Sequence, residues 1–230
     1  MKWPKLIAGT IISRHKRFLF EVRLRNHHTV TAHCPNTGSM TGCYAPGCTA
    51  YLSRSSNPAR RLPYTIEMTR MGTALVGVNT MIPNRLVREA IAAGRIEKLS
   101  GYPTLRSEVG YGTRSRIDLL LESGEEKCFV EIKNCTLVAD QVAYFPDAVS
   151  DRALKHLHEL TMQVNAGNRC VMFYLIQRMD ARLFKPADHI DPAYGKALRT
   201  ALRSGVEIMV YDVTLNLETI ELHNPIPFAL

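Results

Sequence analysis

Ser115-Arg-Ile-Asp-Leu-Leu-Leu-Glu-Ser-Gly-Glu-Glu-Lys-Cys-Phe-Val-Glu-Ile-Lys133 reads as two strands joined by a tight turn. Ser123-Gly124-Glu125-Glu126 supplies a two-residue hairpin loop, and Gly at its first central position suits a type II′ turn. Pairing Ser123 with Glu126 then fixes every partner. Leu121 faces Cys128, Leu119 faces Val130 and Ile117 faces Ile132, so six apolar residues share one side. A one-residue shift of either strand would break all three pairs.

The other side follows without further choice. Asp118 falls opposite Glu131, and Arg116 falls opposite Lys133. Opposed residues have Cβ atoms about 5 Å apart, and like charges placed there destabilise a hairpin. Two carboxylates in that position need a shared proton or a divalent cation, for which both are hard oxygen ligands. Lys133, two residues beyond Glu131, points to the same side. Two acids and a cation at one spot suit phosphodiester hydrolysis with Mg²⁺ or Mn²⁺. The carbonyl of Ile132 is a third candidate ligand. The competing reading is a solvated pair, with Asp118 bound to Arg116 or Lys133. Leu120 and Phe129 oppose each other on the same side, which argues for a partly covered cleft instead.

Other residues are candidates for the same site. Glu108, expected in a loop before Gly110, offers a third carboxylate. Arg114 and Arg116 beside Asp118 are phosphate clamps. A helix expected over 150–166 presents Arg152 and His156 on its polar face, for phosphate binding and proton transfer.

Outward from the hairpin the texture is α/β. Helices are expected at 84–93, 150–166 and 192–203, with Gly94, Gly167 and Gly205 as their end signals. The uninterrupted apolar runs 169–176 and 206–213 read as buried strands. This order implies a mixed central sheet for a domain over 81–230. Residues 1–80 read as five or six short strands at 6–13, 17–25, 29–34, 48–53, 64–70 and 73–79, with no helix signal. In Arg17-Phe-Leu-Phe-Glu-Val-Arg-Leu-Arg25, Phe18, Phe20, Val22 and Leu24 are expected on one face. Short strands of that number suggest a small OB-like β-barrel, a fold that binds nucleic acid across one sheet face.

Charge separates the two parts. The 230-residue chain carries +8, from 29 Lys+Arg against 21 Asp+Glu. Residues 1–80 hold 11 basic residues and two acids, Glu21 and Glu67, a net of +9. The remainder holds 18 basic and 19 acidic residues, a net of −1. An excess confined to one small domain favours DNA as the partner over an anionic membrane or mere solubility. Arg17, Arg23, Arg25, Arg60 and Arg61 are the expected backbone contacts. With 46% apolar and 22% charged residues, disorder is not expected. No segment is long and apolar enough for a signal peptide or a membrane span, and the six cysteines form no CxxC pair. A cytoplasmic protein with reduced thiols is expected.

Several runs resemble the sugar fermentation stimulation protein A family. They are His33-Cys-Pro-Asn-Thr-Gly-Ser-Met-Thr-Gly-Cys43, Val78-Asn-Thr80 with Asn84-Arg85-Leu86, Leu99-Ser-Gly-Tyr102, Ser107-Glu-Val-Gly-Tyr-Gly112, Ser115-Arg-Ile-Asp118, Tyr144-Phe-Pro-Asp-Ala-Val149 and Arg152 to Leu157. The resemblance covers essentially the whole chain. It implies an OB-like N-terminal domain, a C-terminal restriction-endonuclease-like domain of the PD-(D/E)xK type and non-specific DNA binding. It places the nuclease core on Asp118, Glu131 and Lys133, with Glu108 as an upstream acid. Ile117 stands where the core's name has proline. The resemblance also implies an alternative, a non-catalytic DNA-binding regulator of sugar, especially maltose, metabolism.

Overall fold

The alternating runs of the first third close on themselves. The computed structural model describes residues 1–112 and 115–230. In it β1 (Ile7–His15), β2 (Leu19–Leu24), β3 (Thr29–His33), β4 (Thr49–Arg54), β5 (Tyr64–Met71) and β6 (Ala74–Gly77) form one sheet of order β3-β2-β1-β4-β5-β6. A parallel pairing of β3 with β5, Ala32 against Tyr64 and His33 against Thr65, closes the first five strands into a barrel. That is the expected OB architecture. Ile11, Phe20, Val22, Ala50, Leu52 and Ile66 fill its interior. Phe18 does not join them. Lys16 and Arg17 have φ of +48° and +65°, so the chain is still turning there and the strand alternation begins only at Leu19.

The second part is built on a mixed sheet. After α1 (Ile82–Ala92) come β7 (Thr104–Tyr111), β8 (Ser115–Ser123), β9 (Glu126–Cys135), β10 (Leu137–Ala139) and β11 (Val142–Phe145). Then follow α2 (Asp151–Asn165), β12 (Arg169–Ile176), β13 (Leu183–Pro186), α3 (Pro192–Arg203), β14 (Glu207–Leu215) and β15 (Ile220–Pro225). The main sheet has the order β15-β14-β12-β9-β8-β7, with β12 parallel to both β9 and β14. Helices α2 and α3 cover one face through Leu157, Leu160, Tyr194 and Leu198. Helix α1 covers the other through Leu86 and Ala90, together with Tyr51 and Met68 from the outside of the barrel. The three helices and the long strands lie where periodicity places them. Five strands, β7, β10, β11, β13 and β15, carry no such signal. β7 is an exposed edge strand, and β10, β11 and β13 form a small sheet of their own, only three or four residues each.

The ends of α2 are set by local chemistry. Ser150 Oγ accepts the N–H of Ala153 and caps the first turn, and Gly167 with φ +89° ends the last. Among the described residues no helix is long and apolar enough to cross a membrane. All six cysteines are free thiols. Cys34 and Cys43 are buried in the barrel core, where burial pushes them up to about 11 and about 12.

The barrel is held against the sheet domain by backbone and side chain alike. Gly77 N–H donates to the Gln177 carbonyl, and the Trp3 indole N–H to that of Asn216. In the loop after β3, Ser39 Oγ and Met40 N–H both donate to the Asp147 carboxylate, at 2.9 and 3.0 Å. A Cβ on Gly38 would lie 2.9 Å from Asp147 Oδ2. The carboxylate is held by two donors and cannot step aside cheaply. Gly38→Ala is therefore expected to destabilise the protein by about 1–3 kcal/mol in urea unfolding, and an unchanged midpoint would show the contact to be soft.

Candidate active site

The hairpin forms in the expected register at its turn and departs from it at the site. Ser123 pairs with Glu126, and Gly124 alone of the two central residues has a positive φ, +58°, as a type II′ turn requires. Leu121 pairs with Cys128 and Leu119 with Val130, where the ladder ends. The expected pairs Ile117–Ile132 and Asp118–Glu131 do not form. The reason lies on the next strand. β7 pairs with β8 through Ser107↔Leu119, skips Glu108 and Asp118, and resumes at Val109↔Ile117. Glu108 sits in this strand, not in a loop, with φ +55°. A left-handed residue inside a strand breaks alternation and stores strain. Beside it on β8, alternation also fails: Ile117 and Leu119, two apart, enter different cores.

The gap is where Asp118 works. Its Oδ2 accepts the Ile132 N–H at 2.7 Å in place of a ladder bond. A strand residue's N–H and C=O point to the same side, so the Ile132 carbonyl faces that gap too. Asp118 Oδ1 accepts Asn84 Nδ2 at 2.7 Å, from the first turn of α1. Sequence reasoning gave Asn84 no role; its position near a helix start carries no mark of what the helix packs against.

Glu131 is only 2% exposed and faces α2. Its Oε1 accepts Lys133 Nζ at 2.7 Å and contacts His156 Nδ1, which also lies 3.1 Å from Lys133 Nζ. Its Oε2 is buried with no partner among the described residues. Burial opposes the Glu131 charge, but the His156 hydrogen bond and Lys133 outweigh it and hold the carboxyl below its ordinary value. Asp118 goes the other way. Burial first, and the Glu131 charge second, raise it to about 6. Two neighbouring acids are thus pushed apart, a pattern that marks functional sites.

These groups line one cleft of about 620 Å³, with Glu108, Ile132, Arg152 and His156 beside Asp118, Glu131 and Lys133. Other expectations fare differently. Glu108 is exposed, and among the described residues no three side chains of metal-ligating type converge, so its carboxylate shares the cleft without joining the pair. Arg116 turns away and donates to the Glu108 carbonyl at 2.9 Å. Arg114 lies outside the described residues. The barrel arginines do not form one patch. Arg17 and the Arg60–Arg61 loop sit at the end where Leu19 pairs with His33 and His33 with Thr65. Arg23 and Arg25 line a groove with His27 at the opposite end, where Arg23 pairs with Thr10 and Thr29.

Residues 81–219 match the family model described as the sugar fermentation stimulation protein RE domain, and residues 12–78 match the SfsA N-terminal OB domain. The chain is 51% identical over 230 residues to a sugar fermentation stimulation protein homolog of Pelobacter propionicus, covering 100% of both. It is 50% identical over 226 residues to the homolog of Geobacter metallireducens, covering 98% of this chain and 97% of that one. The structure of Pyrococcus furiosus SfsA in complex with Ca²⁺ superposes with a TM-score of 0.92 at 24% identity, over 100% of this chain and 98% of the other.

Proposed function

The chain belongs to the sugar fermentation stimulation protein family, and we propose that it binds DNA without strong sequence preference and hydrolyses phosphodiester bonds in its C-terminal cleft with Mg²⁺ or Mn²⁺. The observation that carries this is the Asp118–Glu131–Lys133 group in one cleft, its acids driven in opposite directions.

The residues fit a hard divalent cation. Glu131 keeps a buried Oε2 with no partner among the described residues, burial and then the Glu131 charge oppose ionisation of Asp118, and the Ile132 N–H, with its carbonyl on the same side of the strand, points into the gap. Asp118, Glu131 and Ile132 would hold the ion, and Glu108 lines the same cleft. Such an ion lowers the pKa of a bound water and neutralises phosphate charge. Pyrococcus furiosus SfsA was solved with Ca²⁺, an ion of the same oxygen-seeking class. The protein's own groups do the rest. Lys133 donates to the attacking water or a phosphate oxygen, and Arg152 binds a neighbouring phosphate. Asn84 and the Ile132 N–H keep Asp118 in place. His156 holds Glu131 from behind. The barrel's excess of positive charge grips the rest of the backbone.

One observation favours the second reading, a non-catalytic DNA-binding regulator. Lys133 already neutralises Glu131 at 2.7 Å, a state that needs no cation. The two readings part in one experiment. Supercoiled and single-stranded DNA are expected to be cut with Mg²⁺ or Mn²⁺ and left intact in EDTA, and Mn²⁺ titration is expected to show binding that Asp118→Asn removes. DNA binding with no cleavage of any substrate would leave only the regulator.

A further inference from the structure

We propose that the strand entering this cleft is single-stranded DNA, or the frayed end of a duplex, and that its unpaired bases stack on Phe18 beside His33. The proposal rests on the DNA reading above and names its substrate class.

Phe18 sits in the turn between β1 and β2, 37% exposed, although its neighbours in sequence Phe20 and Val22 are core residues. Its ring lies 6.1 Å from the His33 ring, tilted by 60°. Arg60 is fixed beside His33 by a 2.8 Å bond to Thr65 Oγ1, the residue paired with His33, and Arg17, exposed, precedes Phe18 in the same turn. The two acids of the barrel do not compete there. Glu67 is buried on Ser53 and Asn79, and Glu21 is bonded to Ser13. An exposed ring with a fixed arginine beside it and a second one next in the chain has the chemistry of a base-stacking platform with phosphate contacts.

The platform leads to the cleft. From His33 the chain runs to Pro35, whose carbonyl accepts Thr80 Oγ1 at 3.2 Å, and to Asn36. Asn36 lines a small void with Thr80, Asn134 and Phe145, and those three also line the cleft. Three residues span at most about 11 Å, so platform and cleft are close neighbours. At the cleft lip stands Met81, 71% exposed. A methionine among polar groups offers nothing to a phosphate and meets a sugar or a base.

Duplex DNA cannot use this arrangement. Its bases show their faces only to each other, whereas unpaired bases offer theirs to aromatic side chains. The cleft agrees. Its 620 Å³ is the size of a small-molecule pocket, and Glu131 lies at its floor almost wholly buried. A phosphate reaches that floor on a flexible single strand more readily than on the wall of a duplex.

Fluorescence anisotropy in EDTA tests this with two labelled probes, an oligo-dT strand and a hairpin duplex of equal length. The strand is expected to bind more tightly. Phe18→Ala is expected to weaken the strand by about fivefold or more and the duplex by less than about twofold, with Phe18→Trp restoring the strand. Equal loss on both probes, or no loss, overturns the inference while the DNA reading stands. Binding of neither probe overturns both.

Discussion

Lys133→Met is expected to lower the single-turnover rate of metal-dependent DNA cleavage by about 10²–10⁴-fold, the range of a positioned proton donor. The side chain is 12% exposed and anchored by Glu131 at 2.7 Å. An ammonium has three hydrogens. His156 Nδ1 lies near both Lys133 Nζ and Glu131 Oε1, and a ring nitrogen cannot donate to one and accept from the other. If the ring donates to Glu131, Lys133 keeps two hydrogens for other partners, on the proposed mechanism one for a phosphate oxygen and one for the water that attacks. Methionine keeps most of the volume and removes both. A variant that cuts within about tenfold of the parent would exclude Lys133 from the chemistry.

Asp118→Asn and Glu131→Gln are expected to shift stability in opposite directions in metal-free buffer. Asp118 titrates at about 6 in the fold against 3.8 in a free chain. A raised carboxyl is a stability cost that is absent below the unfolded value, grows as pH rises through the folded value, and is complete above it. Asparagine removes the charge, and Asn84 can turn its amide oxygen to meet the new NH₂. Asp118→Asn should therefore stabilise the protein by about 1–3 kcal/mol near pH 8, with the gain fading towards about pH 4. Glu131 is held below its ordinary value, so its charge stabilises the fold above that range and the benefit is lost on acidification. Glu131→Gln leaves Lys133 and His156 facing each other without a counter-charge and should cost about 3–5 kcal/mol near pH 8. Urea unfolding of both variants across that range decides it. Shifts of the same sign would mean that the two acids share one proton and do not hold separate states.

Much of this site is legible in the order of residues. The Gly124 turn and the apolar pairs Leu121–Cys128 and Leu119–Val130 set the hairpin register, and Glu131 and Lys133 share a side because strand residues two apart must. The same logic failed one pair further on. Ile117–Ile132 satisfies the pattern as well as the others do, yet the ladder stops at Leu119–Val130, where Asp118 takes the Ile132 N–H and Glu108 on the neighbouring strand turns left-handed. A glutamate at positive φ has no compositional signature; glycine or asparagine there would have.

Periodicity and charge counting, which need only neighbours along the chain, determined the barrel, the mixed sheet, the three helices and the confinement of positive charge to the first third. They could not say which partner meets which across space. His156 reaches Glu131 over 25 residues, Asn84 reaches Asp118 over 34, and Arg17 and Arg23 part company because Arg17 lies in the turn before β2 and Arg23 near its far end. Those contacts follow from how two faces of one sheet are packed, by α1 and the barrel on one side and α2 on the other. A repeat of two or 3.6 residues encodes which face is apolar, and only the packed core decides what that face brings with it.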